Sequence, residues 1–194
     1  MGKYVRTILL AGVLMGAGAA QANDDPAVKP GEAQLRIASQ DGAIPAIFVK
    51  KAALDGMTEV ELGKIALSKS QDEKVREFAE RMIDDHGKAN EALTSIAKKK
   101  GIPVPTALDT AHKSLVQSLN ARSGKAFDAA YGEHMDADHT RAIALFQGAI
   151  TGSDADLAAF AKRTLPTLEE HKEMAERLST SRTADSSDST TSHE

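Results

Sequence analysis

Four residues whose side chains normally sit in water fall instead on the apolar faces of four helix-forming segments: Glu59, His86, His139 and His171. Burying a polar group without a partner costs a few kcal/mol, so such residues must meet one another or a ligand. Carboxylate and imidazole together can do two things in a dry interior. They can hold a transition-metal ion, and this donor set suits iron, zinc, manganese or copper. They can also pair among themselves as a metal-free network that fixes helix register. Asp138, beside His139, adds a second carboxylate to the group.

The elements that must position these residues are helices. The apolar period predicts long helices over about 45–69, 70–100, 125–150 and 153–178, with a shorter one near 107–119 in the connector. Pro45 suits a first helical turn. Ser70 and Glu73 have capping-box spacing, and Gly101 followed by Pro103 is a stop. Pro166 falls inside the last helix and predicts a kink one turn before His171. Short echoes, such as Phe78-Ala79 against Phe160-Ala161, hint at two related hairpins.

At about 100° per residue, Glu59 falls among Val49, Ala52, Leu62 and Ala66, whereas Glu61 falls on the opposite face. His86 lies in the stripe of Phe78, Met82 and Leu93, with Asp85 at its edge. On the third long helix Asp128 and Asp138 fall within the stripe of Tyr131, Met135 and Phe146, and His139 sits at its margin. His171 lies between Leu168 and Ala175. Ile47, Leu54 and Ile65 lie off the main arc and predict a second contact, with the connector helix. If the connector carries the chain back along the bundle, all four polar residues fall in a layer roughly 12 Å thick.

The rest of the 194-residue chain bounds the function. Lys3 and Arg6 precede an apolar run too short to span a bilayer, and Ala20-Gln21-Ala22 is a small-x-small cleavage site. Residues 1–22 thus read as a signal peptide and the product as periplasmic or secreted. With no cysteine there is no disulfide and no residue for lipid attachment at the mature N-terminus. Residues 23–43 read as a flexible leader, 44–178 as one helical domain, and the Ser/Thr/Asp-rich 179–194, with His193, as a disordered tail. No later segment is apolar enough for a transmembrane span. The net charge of −4 argues against nucleic acid as a partner. There is no Gly-rich phosphate loop and no nucleophile elbow.

Four segments carry a resemblance: GMTEVELGKIAL (56–67), FAERMIDDHGKANEAL (78–93), FDAAYGEHMDADH (127–139) and LPTLEEH (165–171). In order and spacing they resemble the bacterial family catalogued as domain of unknown function 4142, over about residues 47–178. The resemblance implies a ferritin-like four-helix bundle, exported and often labelled an outer-membrane protein, with envelope association in view. It implies no established activity and no assigned catalytic residue. The family's characteristic polar positions match Glu59, Asp85, His86, Asp128, His139 and His171.

Ferritin-like di-iron bundles take Glu-x-x-His from two helices. Here the residues three before His86, His139 and His171 are Ile83, Asp136 and Leu168, and Asp136 points away from the stripe. The pattern therefore favours one metal ion held by Glu59, His86, His139 and His171. Asp85, Asp138, Asp128 and Tyr131 would support those ligands, and Tyr131 and Asp128, one turn apart, could hydrogen-bond. Two functions follow: a metal-binding envelope stress protein, with any catalysis being metal-dependent redox, or a non-enzymatic structural or interaction module with a metal-free network.

Overall fold

The computed structural model describes residues 30–188, with side chains described over 43–179. The expected signal peptide, the first part of the leader and His193 lie outside the described residues. Five helices make up the described chain: α1 (Pro30–Lys69), α2 (Glu73–Lys99), α3 (Thr110–Asn120), α4 (Gly124–Ile150) and α5 (Ala155–Asp188). Among the described residues there is no strand.

α1 packs along α2 and α4 along α5; the two hairpins then meet through α2 with α5 and α1 with α4. Two apolar clusters fix the directions. One gathers Phe48, Leu93, Phe146, Phe160 and Leu168, the other Leu62, Phe78, Tyr131, Met135 and Leu178. Chain order through the clusters makes α2 and α4 parallel and every neighbouring pair antiparallel. The connector therefore travels the length of the bundle, the single long crossover of ferritin-like folds. α3 rides on that connector and lies against α1 and α4.

Local chemistry sets most helix ends. The cap of α2 is Asp72, whose carboxylate accepts from the Lys74 and Val75 amides; Ser70, expected in that role, instead accepts from the Asp72 amide. Gly101 adopts φ 68° just past α2, where a left-handed residue ends a helix. Asp154 caps α5. α1 starts at Pro30 rather than near Pro45, and α5 runs past Leu178 to Asp188. Pro45 and Pro166 both lie inside helices. Of the off-arc residues, Leu54 is buried and Ile65 packs against the second apolar cluster, as Leu115 and Val116 of α3 do, but Ile47 is exposed.

The pairing of α1 with α2 is close because glycine permits it. A Cβ on Gly56 would stand 2.7 Å from Asn90 Oδ1, and one on Gly63 would stand 3.0 Å from the Ala79 carbonyl. These glycines flank Glu59, and their contacts flank His86 on α2. The close approach thus sets Glu59 opposite His86. On every long helix the polar residue falls between the two apolar clusters: Ala53–Glu59–Leu62, Met82–His86–Leu93, Met135–His139–Ala142 and Leu168–His171–Ala175.

Candidate metal centre

That middle layer is shielded from solvent. Glu59 is 2 % exposed, His86 7 %, His139 0 % and His171 1 %. The three imidazole centroids stand 5.2–5.6 Å apart. One ring nitrogen from each of His86, His139 and His171 lies within 4.8 Å of the others. The cluster is thus a buried three-histidine group able to coordinate a metal ion.

Each ring is anchored by one nitrogen. His86 Nδ1 lies 2.9 Å from Glu59 Oε2. His139 Nδ1–H donates to the Met135 carbonyl at 2.8 Å. His171 Nε2–H donates to Asp85 Oδ2 at 2.9 Å. The Met135 carbonyl and the Asp85 carboxylate place the proton on the anchored nitrogens of His139 and His171, which leaves the other nitrogen of each as a lone pair, and His86 takes the same form when Glu59 is ionised. The remaining nitrogens, His86 Nε2, His139 Nε2 and His171 Nδ1, have no hydrogen-bond partner, and neither has Glu59 Oε1. Three imidazole nitrogens in one enclosed layer have no hydrogen-bond partner among the protein's groups, whereas buried polar atoms are normally answered. A cation is the group that would answer all three together. The anchors match the outer partners that orient metal-bound histidines: a carboxylate, a carbonyl, a carboxylate.

Electrostatics agree. Burial pulls the His86 pKa down to about 4 against the nearby carboxylates Asp85, Asp138 and Asp55. Burial, then the field of His86, takes His171 to about 4 despite Asp85. Burial also lowers His139, although Glu59 opposes it. Near neutral pH all three are uncharged, the state that binds a metal. Burial holds Glu59 well above the usual carboxylate range, and Asp138 and Asp55 beside it push the same way.

The eight residues singled out in the sequence take different places. His86, His139 and His171 converge. Glu59 stands beside His86 and 3.6 Å from His139 Nε2 but is not one of the three mutually close groups. Asp85 anchors His171. Asp138 lies next to Glu59 and binds Arg141 at 2.5 Å on the outer side. Asp128 is buried but 11 residues before His139, roughly 16 Å along the helix. Tyr131 is enclosed between Phe127 and Phe78, and its hydroxyl has no hydrogen-bond partner, so the expected bond to Asp128 is not made. Asp136 turns outward to Lys172 at 3.5 Å, in keeping with its place on the wheel.

His139, at the margin of the ideal wheel, is fully enclosed. A bundle seam follows 3.5 rather than 3.6 residues per turn, and His139 lies seven residues before the core residue Phe146. The same shift turns Asp138 toward a cleft between α1, α3 and α4. Asp55, His112 and His134 line that cleft and were not singled out as site residues. Asp55 could have been found: it is one turn before Glu59.

A family model described as domain of unknown function (DUF4142) matches residues 26–178. Among curated proteins none matches. Among solved structures the chain is similar to the crystal structure of a DUF305 fragment from Deinococcus radiodurans, with a TM-score of 0.62 and 15 % identity. The likeness covers 70 % of this chain and 94 % of that one, and at such identity it is a likeness of fold.

Proposed function

From the premise that this chain belongs to the DUF4142 family, we propose that it binds one transition-metal ion inside its bundle. His86 Nε2, His139 Nε2 and His171 Nδ1 would be the ligands. Glu59 and Asp85 would orient two of the rings, and Glu59 Oε1 stands ready as a fourth donor. The observation that carries this reading is the set of three buried lone pairs with no partner, each on a ring anchored through its other nitrogen. A metal-free network would be expected to answer its own polar atoms.

Nitrogen donors favour zinc, copper or iron over manganese, which prefers oxygen. Two carboxylates touching the rings from outside would offset the charge of a divalent ion. Three protein ligands leave coordination positions for a small molecule, as in catalytic rather than structural metal sites. With residues 1–22 as a signal peptide, the setting is the cell envelope, where such a protein would bind metal or act in metal stress. Among the described residues no helix is long and apolar enough to cross a membrane.

Elemental analysis of protein purified from its native compartment tests the reading. One equivalent of metal is expected, and its loss is expected in a His86→Ala/His171→Ala variant that stays helical. Native protein that carries no metal, and that takes up none of zinc, copper or iron on dialysis, would favour the structural network instead.

A further inference from the structure

A metal in this layer needs a way in, and the structure offers one. The α1/α3/α4 cleft is a cavity of about 220 Å³ whose wall includes Asp55, Thr58, His112, His134, Asp138 and Arg141. Asp55 also lines a second cavity of about 20 Å³, in whose wall stand Glu59 and His86. That volume suffices for about one water molecule or an ion. One carboxylate therefore belongs both to a pocket open toward solvent and to the inner space beside Glu59 and His86.

The donors form a graded series. Asp138 is 15 % exposed at its side chain and Asp55 32 %, so both meet solvent. His134 adds a buried Nε2 without a hydrogen-bond partner. At the inner end is Glu59 Oε1, almost wholly enclosed, without a hydrogen-bond partner, and 3.6 Å from His139 Nε2. Arg141 pairs with Asp138, but its side chain is 63 % exposed and can move into solvent when a cation competes. Carboxylates at the mouth of a low-dielectric passage concentrate cations and raise their rate of capture.

We propose that this cleft is the access route for the metal: Asp55 and Asp138 capture a divalent cation from solvent and pass it by way of Glu59 to the three histidines. The inference rests on the metal-binding reading above. It assigns to Asp55 and Asp138 transport toward the centre and no place among the final ligands.

The test is the rate at which metal-free full-length protein takes up Co²⁺, followed by the visible absorption of the bound ion in a stopped-flow instrument. Asp55→Asn and Asp138→Asn are each expected to slow loading by about tenfold, with the final spectrum and one-to-one stoichiometry unchanged. Ala111→Trp, an exposed position on the rim of the cleft, is expected to slow loading with no change of charge at the carboxylates. Asp84→Asn, an exposed carboxylate paired with Lys88, should load like the natural protein. Unchanged rates in the two cleft carboxylate variants and in Ala111→Trp would overturn the route while leaving the centre standing. A changed spectrum or stoichiometry would make Asp55 or Asp138 a ligand and overturn the route as well. Failure of the unsubstituted protein to bind cobalt would overturn the centre and the route together.

Discussion

His112 and His171 each face a carboxylate, yet the two rings are wired in opposite ways. His112 on α3 has both nitrogens answered, Nδ1 by Asp109 at 2.6 Å and Nε2 by Asp55 at 3.3 Å. Burial works against its charge, but the hydrogen bonds that it donates to Asp109 and Asp55 outweigh burial and lift its pKa. His171 on α5 has one nitrogen answered and one bare, and burial takes its pKa down to about 4. The first ring, whose charged form two carboxylates favour, is a clamp that ties α3 to α1. The second is a neutral donor with its lone pair turned into a dry layer. A histidine that uses both nitrogens is spent on structure, whereas one anchored by a single nitrogen has a ligand position left.

The largest effect that separates the two is on metal affinity. His171→Ala is expected to weaken zinc binding by more than about a hundredfold, because it removes one of three ligands. His112→Ala is expected to leave the affinity within about twofold, since surface changes away from a site have small effects. Isothermal titration with zinc measures both. Equal losses in the two variants would erase the distinction.

Next in size is the response of the metal-free protein to acid. An unfolded chain protonates its histidines near pH 6.5, while His86 and His171 in the folded state stay neutral down to about pH 4. Between these limits the unfolded state holds more protons, so stability must fall as pH drops through that window. Above it these two histidines are neutral in both states and their full contribution is present, while Glu59, whose protonated form burial favours, works in the opposite direction as pH rises. Urea unfolding at pH 7 and pH 4.5 should show a loss on the order of a few kcal/mol, shrinking in the His86→Ala/His171→Ala variant. A flat profile would mean that the rings are not held neutral by burial.

The same contrast explains how much was legible in the sequence. Helix number and the layer holding Glu59, His86, His139 and His171 follow from apolar period and helical rise, which are local properties, whereas the crossover enters the sequence reading only as a condition. The anchoring of each ring was less accessible. Asp85 and Glu59 could both be named, but which of them would bind a metal and which would orient a ring depends on interhelical distances of a few ångströms. Glu59 meets His86 because Gly56 and Gly63 let α1 approach α2, and a helical wheel carries no such distance. The pairing of His112 with Asp55 escaped for a related reason. Their contact joins the connector to α1 across 57 residues, where no periodicity points.

A smaller effect tests the anchors themselves. Asp85→Asn keeps the shape and an acceptor for His171 Nε2–H but removes the charge. Zinc affinity is expected to fall by about tenfold to a hundredfold, the usual scale for a partner behind a metal-bound histidine. Asp109→Asn makes the equivalent change behind His112 and is expected to leave zinc affinity alone. If Asp85→Asn binds zinc as tightly as the unsubstituted protein, Asp85 only pins α2 to α5.

The smallest expected effect has the opposite sign in pH, which makes it the sharpest check on the clamp. His112 has a raised pKa in the folded state, so the folded chain holds its proton longer than the unfolded one as pH rises. Its contribution is fully present below pH 6.5 and is lost as pH climbs through the folded value. Its ring is partly exposed, and solvent screening keeps the contribution under about 1 kcal/mol. His112→Ala should therefore destabilise the metal-free protein slightly at pH 5.5 and less at pH 9, whereas the His86/His171 term grows between pH 4.5 and 7. Two histidine groups in one bundle would then push stability in opposite directions across the same titration. Thermal unfolding of His112→Ala at both pH values reads this directly, and a deficit that grows toward pH 9 would show that the ring stabilises by packing and not by its charge.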